Sequence, residues 1–366
     1  MKPEVYFIDL RTTFERSLFD KLGALLAAAG IERIIAPDDL VALKLHFGED
    51  GVTATIRPTL VRRVVDWVKE KGGRPFLTDT NTLYVGTRAN SVAHIETALR
   101  NGYGFLTTGA PIIIGDGLRG STYREVEIHK RHCRQIQIAE SIFYSDSVLF
   151  LSHFKGHEVT GFGGAIKNVA MGCSPKKGKL MMHSQVVPYV DRKRCTGCGA
   201  CIEWCPRRAI ALHSMAQIDA RLCIGCCECV GVCARNAIRI VWNEESRNVQ
   251  EKLVEYAYGV VKTKDKVAYV NFLMDITPLC DCYPSSDSSI VPDVGVLASH
   301  DPVAIDQASI DLINGQIGLR NSALTSSFGV GDDKFRALNP DIDWEVQLQY
   351  GEELGLGFRD YELVKI

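Results

Sequence analysis

Apolar residues along the chain recur with two alternating periods. VYFIDL near the start is a strand-length apolar run, and FERSLFDKLGALLAAAG carries its apolar residues at helical spacing up to Gly30. VALKLHF reads as the next strand, a loop covers Gly48 to Ile56, and TLVRRVVDWVKEKGG reads as a helix opening at Pro58. PFLTD, the loop DTNTLYVG and a helix around Ser91 to Arg100 repeat the unit. PIIIGDGL and REVEI are short and β-like, Gln135 to Tyr144 is amphipathic, and SVLFLSHF is a further strand. The glycine-rich KGHEVTGFGGAIKN enters a helix that runs toward Met171, whereas CSPKKGKLMMHS lacks periodicity and reads as loop. Further on, ESRNVQEKLVEYAYGVVK and PVAIDQASIDLIN read as helices, and KVAYVNF and DVGVLAS as core strands. The stretch from Asp332 onward is polar, with Trp344, Tyr350 and Phe358, and is expected to pack on the surface. Strand and helix in alternation imply an α/β fold with a mostly parallel sheet and helices on both faces.

Composition narrows the function classes. A net charge of −2 over 366 residues gives no bulk attraction to nucleic acid or membrane, and no apolar run is long enough to span a bilayer. Thirteen cysteines, with MKPEVYFIDL running straight into a strand in place of a signal peptide, point to a reducing compartment, and the expected location is cytoplasmic.

Eight of those cysteines repeat one spacing, C-x2-C-x2-C-x3-C: Cys195, Cys198, Cys201, Cys205, then Cys223, Cys226, Cys229, Cys233. Zinc knuckles have no place for a third cysteine at that interval, and a disulfide framework needs an oxidising compartment. The pattern is that of two [4Fe-4S] cluster sites. Cys227 lies outside it and reads as a small buried filler, as do Cys133 and Cys173. The stretch resembles the bacterial two-cluster ferredoxins, with Pro206 after the fourth ligand of the first half and Ala234 in place of that proline in the second. In such ferredoxins the fourth cysteine of each half ligates the other cluster, which implies one set of Cys195, Cys198, Cys201 and Cys233 and another of Cys223, Cys226, Cys229 and Cys205. Because core strands occur on both sides of it, residues 188–243 are expected to be an inserted α+β ferredoxin-like module, splitting the α/β domain into residues 1–187 and 244–366. Its arginines outnumber its acids, which offsets anionic clusters or favours an acidic redox partner protein.

Outside the cysteine repeat, LSHFKGHEVTGFGGAIKNVAMGC is the richest stretch. Gly161, Gly163 and Gly164 would let the backbone approach a ligand, and a helix start there would aim unpaired N–H groups at an anion or merely turn a tight corner. His153, Lys155, His157, Lys167 and Asn168 are many polar groups for a structural turn, and they suit proton exchange and anion or adduct binding. Lys44, His46 and Glu49 close one strand, and Asp79 and Asn81 follow the next, where open α/β sheets place ligand loops. Asp301 precedes Pro302 as a helix N-cap, near Asp306. Cys280 and Cys282, two apart, would face one pocket as a soft-metal pair, a redox pair or buried thiols.

The motifs KLHFGE, DTNT, LSHFKGHEVTGFGGAIKNVAMGC, CDCYP and SHDPVAIDQAS together resemble the uncharacterised Fe-S centre proteins of the domain-of-unknown-function 362 family. His157-x9-Lys167-x15-His183 is also similar to the core of the nickel-pincer lactate racemases. That resemblance implies Lys167 contacting a pyridine-type cofactor, His183 as a metal ligand, His157 as a proton carrier, and Arg57-Pro58 as a cofactor-binding turn. Ala54 stands where that family has an aspartate, and Asp79, Thr80 and Asn81 where it has its second histidine. Together these features imply an iron-sulfur electron-transfer protein acting on a small anionic ligand, with His157, Lys167 and His46 as catalytic candidates. Lys44, Arg57, Gly161, Gly163, Gly164 and Asn168 are binding candidates, and His183, Cys280 and Cys282 are ligands of a further metal. The alternatives are a non-redox, racemase-like or metal/pyridine-cofactor enzyme with structural clusters, and a carrier subunit docking a partner.

Overall fold

The structure, a computed structural model, describes residues 2–84, 86–183, 187–223, 225, 227–241 and 244–366. Its frame is a seven-stranded sheet. In chain order the strands are β1 (Glu4–Asp9), β2 (Leu40–Lys44), β3 (Arg74–Thr78), β4 (Ser147–His153), β5 (Val267–Leu273), β6 (Gly295–Ser299) and β7 (Glu362–Lys365). The order across the sheet is β7-β1-β6-β5-β4-β2-β3, and only β6 runs antiparallel to its neighbours. Strands from both sides of the cysteine-rich stretch therefore share one sheet.

Every residue of β4 is buried, as expected of a central parallel strand covered on both faces. One face carries Val148, Phe150, Tyr269 and Leu297, packed on helices α6 (Ser246–Lys262), α7 (Pro302–Asn314) and α8 (Glu345–Glu353). The other carries Leu43, Leu77, Leu149 and Val270, packed on α1 (Leu18–Ala28) and α2 (Pro58–Glu70). Local chemistry sets the helix starts. Ser17 and Asp20 form a capping box on α1, Pro58 opens α2, and Asn90 accepts from Ala93 N–H ahead of α3 (Ser91–Arg100). Asp301 caps α7 by accepting from Val303 and Ala304 N–H, both at 2.9 Å.

Four expectations are corrected. Of PIIIGDGL, only Ile112 pairs, through a single bridge to Leu77. Gln135 to Tyr144 divides into the strand Gln135–Ala139 and the short helix Glu140–Tyr144. CSPKKGKLMMHS contains a helix, α5 (Lys176–His183), after α4 (Ala165–Ala170). Tertiary packing overrides its weak periodicity: Leu180 and Met182 are buried, and a Cβ on Gly178 would lie 3.0 Å from Tyr256. The C-terminal stretch is partly core: Phe335, Trp344, Leu348 and Tyr350 are buried and β7 extends the sheet beside β1, while Phe358 is exposed as expected.

The cysteine-rich stretch builds its own small core from two short antiparallel strand pairs, Tyr189–Val190 with Ile238–Arg239 and Ile210–Leu212 with Ala216–Ile218, and two one-turn helices, Ala200–Glu203 and Glu228–Val232. Cys201, Ile210, Ala216, Cys227, Cys229, Val230 and Ile238 fill it, joined by Leu83 and Leu180 from the larger unit. No described helix is long and apolar enough to cross a membrane.

Candidate functional site

A cavity of about 910 Å3 lies beyond the carboxyl ends of β2, β3 and β4. This is where open parallel sheets bind ligands, and the volume suits a small molecule. Lys44 ends β2 and His46 follows it, Asp79 follows β3, His153 ends β4, and Cys280 and Cys282 come from the loop after β5.

One wall is a buried charge network. Lys44 Nζ lies 3.0 Å from Asp79 Oδ1 and donates to Asn168 Oδ1 at 2.9 Å. Arg88 bridges Asp79 and Glu49, at 3.3 Å each, and donates to Tyr84 Oη at 2.7 Å. Burial would push the Asp79 carboxyl up, yet the adjacent Lys44 charge and His94 hold it well below the ordinary carboxylate range. Lys179 reaches in from α5, its ammonium held by the neutral oxygens of Thr80 and Asn81, and burial brings it down to about 8.

Beside this network Cys280 and Cys282 face the cavity together, their sulfurs 3.1 Å apart, and Tyr84 Oη donates to the Cys282 carbonyl at 3.1 Å. Lys167 Nζ donates to Cys280 Sγ at 3.4 Å, and His46 Nε2 stands 3.4 Å from Cys282 Sγ. His157 lines the cavity as well. The contact with the Cys282 sulfur, with Lys167 and His157 close by, keeps the Cys280 thiol well below its usual range despite burial. Burial instead pushes Cys133 and Cys173 up to about 12, as inert buried thiols. The ligand atoms of His46, Cys280 and Cys282 lie within 4.8 Å of one another, a grouping compatible with a metal ion. His183 lines the same cavity, where burial, with His157 and Lys167 beside it, brings it down to about 3, so it is a neutral imidazole at physiological pH.

The cavity thus gathers Lys44, His46, His157, Gly163, Gly164, Lys167, Asn168, His183, Cys280 and Cys282. Two expected features fall elsewhere. Arg57 is half exposed and ion-paired with Asp275 and Asp293, outside the cavity lining. At the helix start after Gly164 the first two N–H groups are taken internally, because Ala165 and Ile166 N–H donate to the buried Asp306 carboxylate at 2.7 and 2.9 Å. The glycines answer to that packing. A Cβ on Gly164 would lie 2.3 Å from Asp306 Oδ1, and one on Gly161, at φ +75°, would lie 2.4 Å from Trp344 Cβ. Sequence reasoning missed Arg88, Tyr84 and Lys179, which sit in segments with no motif of their own.

In the small unit, burial raises the Cys201 thiol, and the nearby sulfurs of Cys233, Cys195 and Cys198 add to the effect. Both halves repeat one contact: Ala209 N–H donates to Cys205 Sγ and Ala237 N–H to Cys233 Sγ, each at 3.2 Å. Cys205, Cys223 and Cys229 line a second, smaller space. Cys226 lies outside the described residues, and no disulfide joins the described cysteines.

A thylakoid-associated protein of Synechocystis is 29% identical over 180 residues, 48% of this chain and 50% of that relative, so the chain spans about half the length of the curated protein it matches. Among solved structures, a protein of Thermotoga maritima gives a TM-score of 0.40 at 10% identity, covering 92% of this chain and 58% of that one. The lactate racemase apoprotein of Thermoanaerobacterium thermosaccharolyticum gives 0.34 at 9% identity, covering 69% and 49%. Residues 41–311 match the model of the domain of unknown function DUF362, and the chain belongs to that family.

Proposed function

We propose that the chain is an iron-sulfur redox protein in which residues 188–243 form a two-cluster ferredoxin-like module serving the cavity of the α/β unit. The donor set fits. Cys201 has as sulfur neighbours Cys195, Cys198 and Cys233, the crossed set that two interlocked [4Fe-4S] sites require. The paired N–H contacts to Cys205 and Cys233 are of the kind that stabilises thiolate ligands. Such clusters supply single electrons.

The observation that carries the coupling is Leu83. It lines the cavity and also packs in the cysteine-bearing core, so one side chain separates the two. Helix α5 makes a second connection, with Leu180 in that core and Lys179 and His183 in the cavity. The cavity's ammonium and guanidinium groups, Lys44, Arg88, Lys155, Lys167 and Lys179, suit a small anionic substrate. His157, Lys167 and His46 orient it and hold protons.

The test is reoxidation of dithionite-reduced protein by a panel of small oxidised carboxylates and phosphates. At least one should restore the cluster absorbance, at a rate lowered tenfold or more in Lys155→Gln. Persistent bleaching with the whole panel, alongside rapid reoxidation by an added ferredoxin, would instead indicate a carrier. The convergence of His157, Lys167 and His183 favours a second reading, a metal or pyridine-type cofactor in the cavity, with His183 as metal ligand. A covalent adduct on Lys167 fits poorly: burial would lower its ammonium, but the adjacent Cys280 and Cys282 sulfurs hold it above the usual lysine range.

A further inference from the structure

The Cys280–Cys282 pair has a geometry of its own. Two thiolates sharing one tetrahedral metal ion stand about 3.8 Å apart, since metal–sulfur bonds are about 2.3 Å. Here the sulfurs are 3.1 Å apart, within reach of a shared proton.

The imidazoles around them are turned the same way. Gly48 N–H points at His46 Nδ1 at 2.9 Å, and the N–H groups of Val159 and Thr160 point at His157 Nδ1, both at 3.2 Å. A backbone N–H can only donate, so each Nδ1 offers its lone pair and the ring proton of each neutral imidazole sits on Nε2. That proton on His46 faces Cys282, 3.4 Å away. A ring nitrogen bearing a proton cannot ligate a metal. With the Lys167 ammonium on Cys280, the pair is ringed by proton donors, the setting that activates a thiolate.

We propose that Cys280 and Cys282 are a redox-active dithiol that reduces a small-molecule disulfide entering the cavity. The Cys280 sulfur attacks one sulfur of that disulfide, forming a mixed disulfide and expelling a thiolate, which takes the proton of Cys282. The Cys282 thiolate then attacks the Cys280 sulfur, closes the intramolecular disulfide and expels the second substrate thiolate. Two cysteines are oxidised and one disulfide is reduced, with no other oxidant. A small thiol in excess reverses the sequence. None of this depends on the cluster reading.

The full-length protein, kept anaerobic, is equilibrated with graded ratios of oxidised to reduced glutathione. Thiols are trapped with a maleimide after denaturation and the peptide spanning residues 280–282 is weighed. The peptide should pass from doubly trapped to untrapped and two hydrogens lighter, and return with dithiothreitol, while Cys133 and Cys173 stay trapped throughout. In Cys282→Ser, Cys280 should retain glutathione, and adding Lys167→Gln should slow that capture by about tenfold. A peptide doubly trapped at every ratio would overturn the proposal. So would one shielded from oxidation by a zinc or nickel ion that leaves only with a chelator. Iron and sulfide counted on the same samples report on the clusters separately.

Discussion

Asp281 holds His153 with both carboxylate oxygens, at 2.9 and 3.0 Å from Nδ1, and both side chains are buried. The same carboxylate takes Lys155 Nζ at 3.0 Å, and the Asp281 carbonyl accepts from Glu49 N–H at 2.9 Å. The residue between the two thiols thus ties their loop to β4 and to the loop carrying His46.

Replacing Asp281 with Asn should cost about 3–5 kcal/mol at pH 7, because it leaves Lys155 and His153 buried without their counter-charge. Burial alone would raise this carboxyl, but His153 and Lys155 hold it well below the ordinary range. Its contribution is therefore present above the unfolded carboxyl's pKa of about 4 and is lost as pH falls through the lower folded value. Chemical denaturation at pH 7 and pH 3 should show the deficit shrinking in acid.

Arg88 is the only described cation within ion-pair distance of Glu49, and it also pairs with Asp79. Arg88→Met should lower stability by about 3–5 kcal/mol, since it leaves the buried Glu49 carboxylate without its counter-charge. Urea denaturation of the two proteins checks this, and an unchanged midpoint would refute the network's role.

Asp306 titrates with the opposite sign. Burial pushes its carboxyl up to about 6 although it accepts from Ile166 and Ala165 N–H and from Asn271. A raised acid destabilises the fold as pH climbs from about 4 to about 6, here by roughly 3 kcal/mol for two pH units. Asp306→Asn loses part of the helix cap but not its uncharged character. Its penalty relative to the parent should therefore shrink by that amount between pH 4 and pH 7, as read from unfolding midpoints.

What the sequence could disclose was whatever local order carries. Pro58, the helix Ser91–Arg100 and the run SVLFLSHF were legible because caps and periodicity are properties of neighbouring residues. Lys44, His46 and the same-face thiols were legible because strand ends and two-residue spacing have fixed geometric meaning. At the glycine-rich turn the sequence could not show the role of Asp306, which takes the Ile166 N–H from 140 positions away. Helix α5 was hidden for a similar reason. Its lysines look like loop until Lys177 meets Glu125 and Lys179 meets Thr80 and Asn81. Arg88 has no motif around it, and only the fold brings it to Asp79 and Glu49.

The most direct test is a count of iron and acid-labile sulfide on the full-length chain after anaerobic reconstitution. Two cubes held by the eight repeated cysteines predict about eight of each per chain. Zinc with no labile sulfide, or iron removed without loss by a mild chelator, would contradict them.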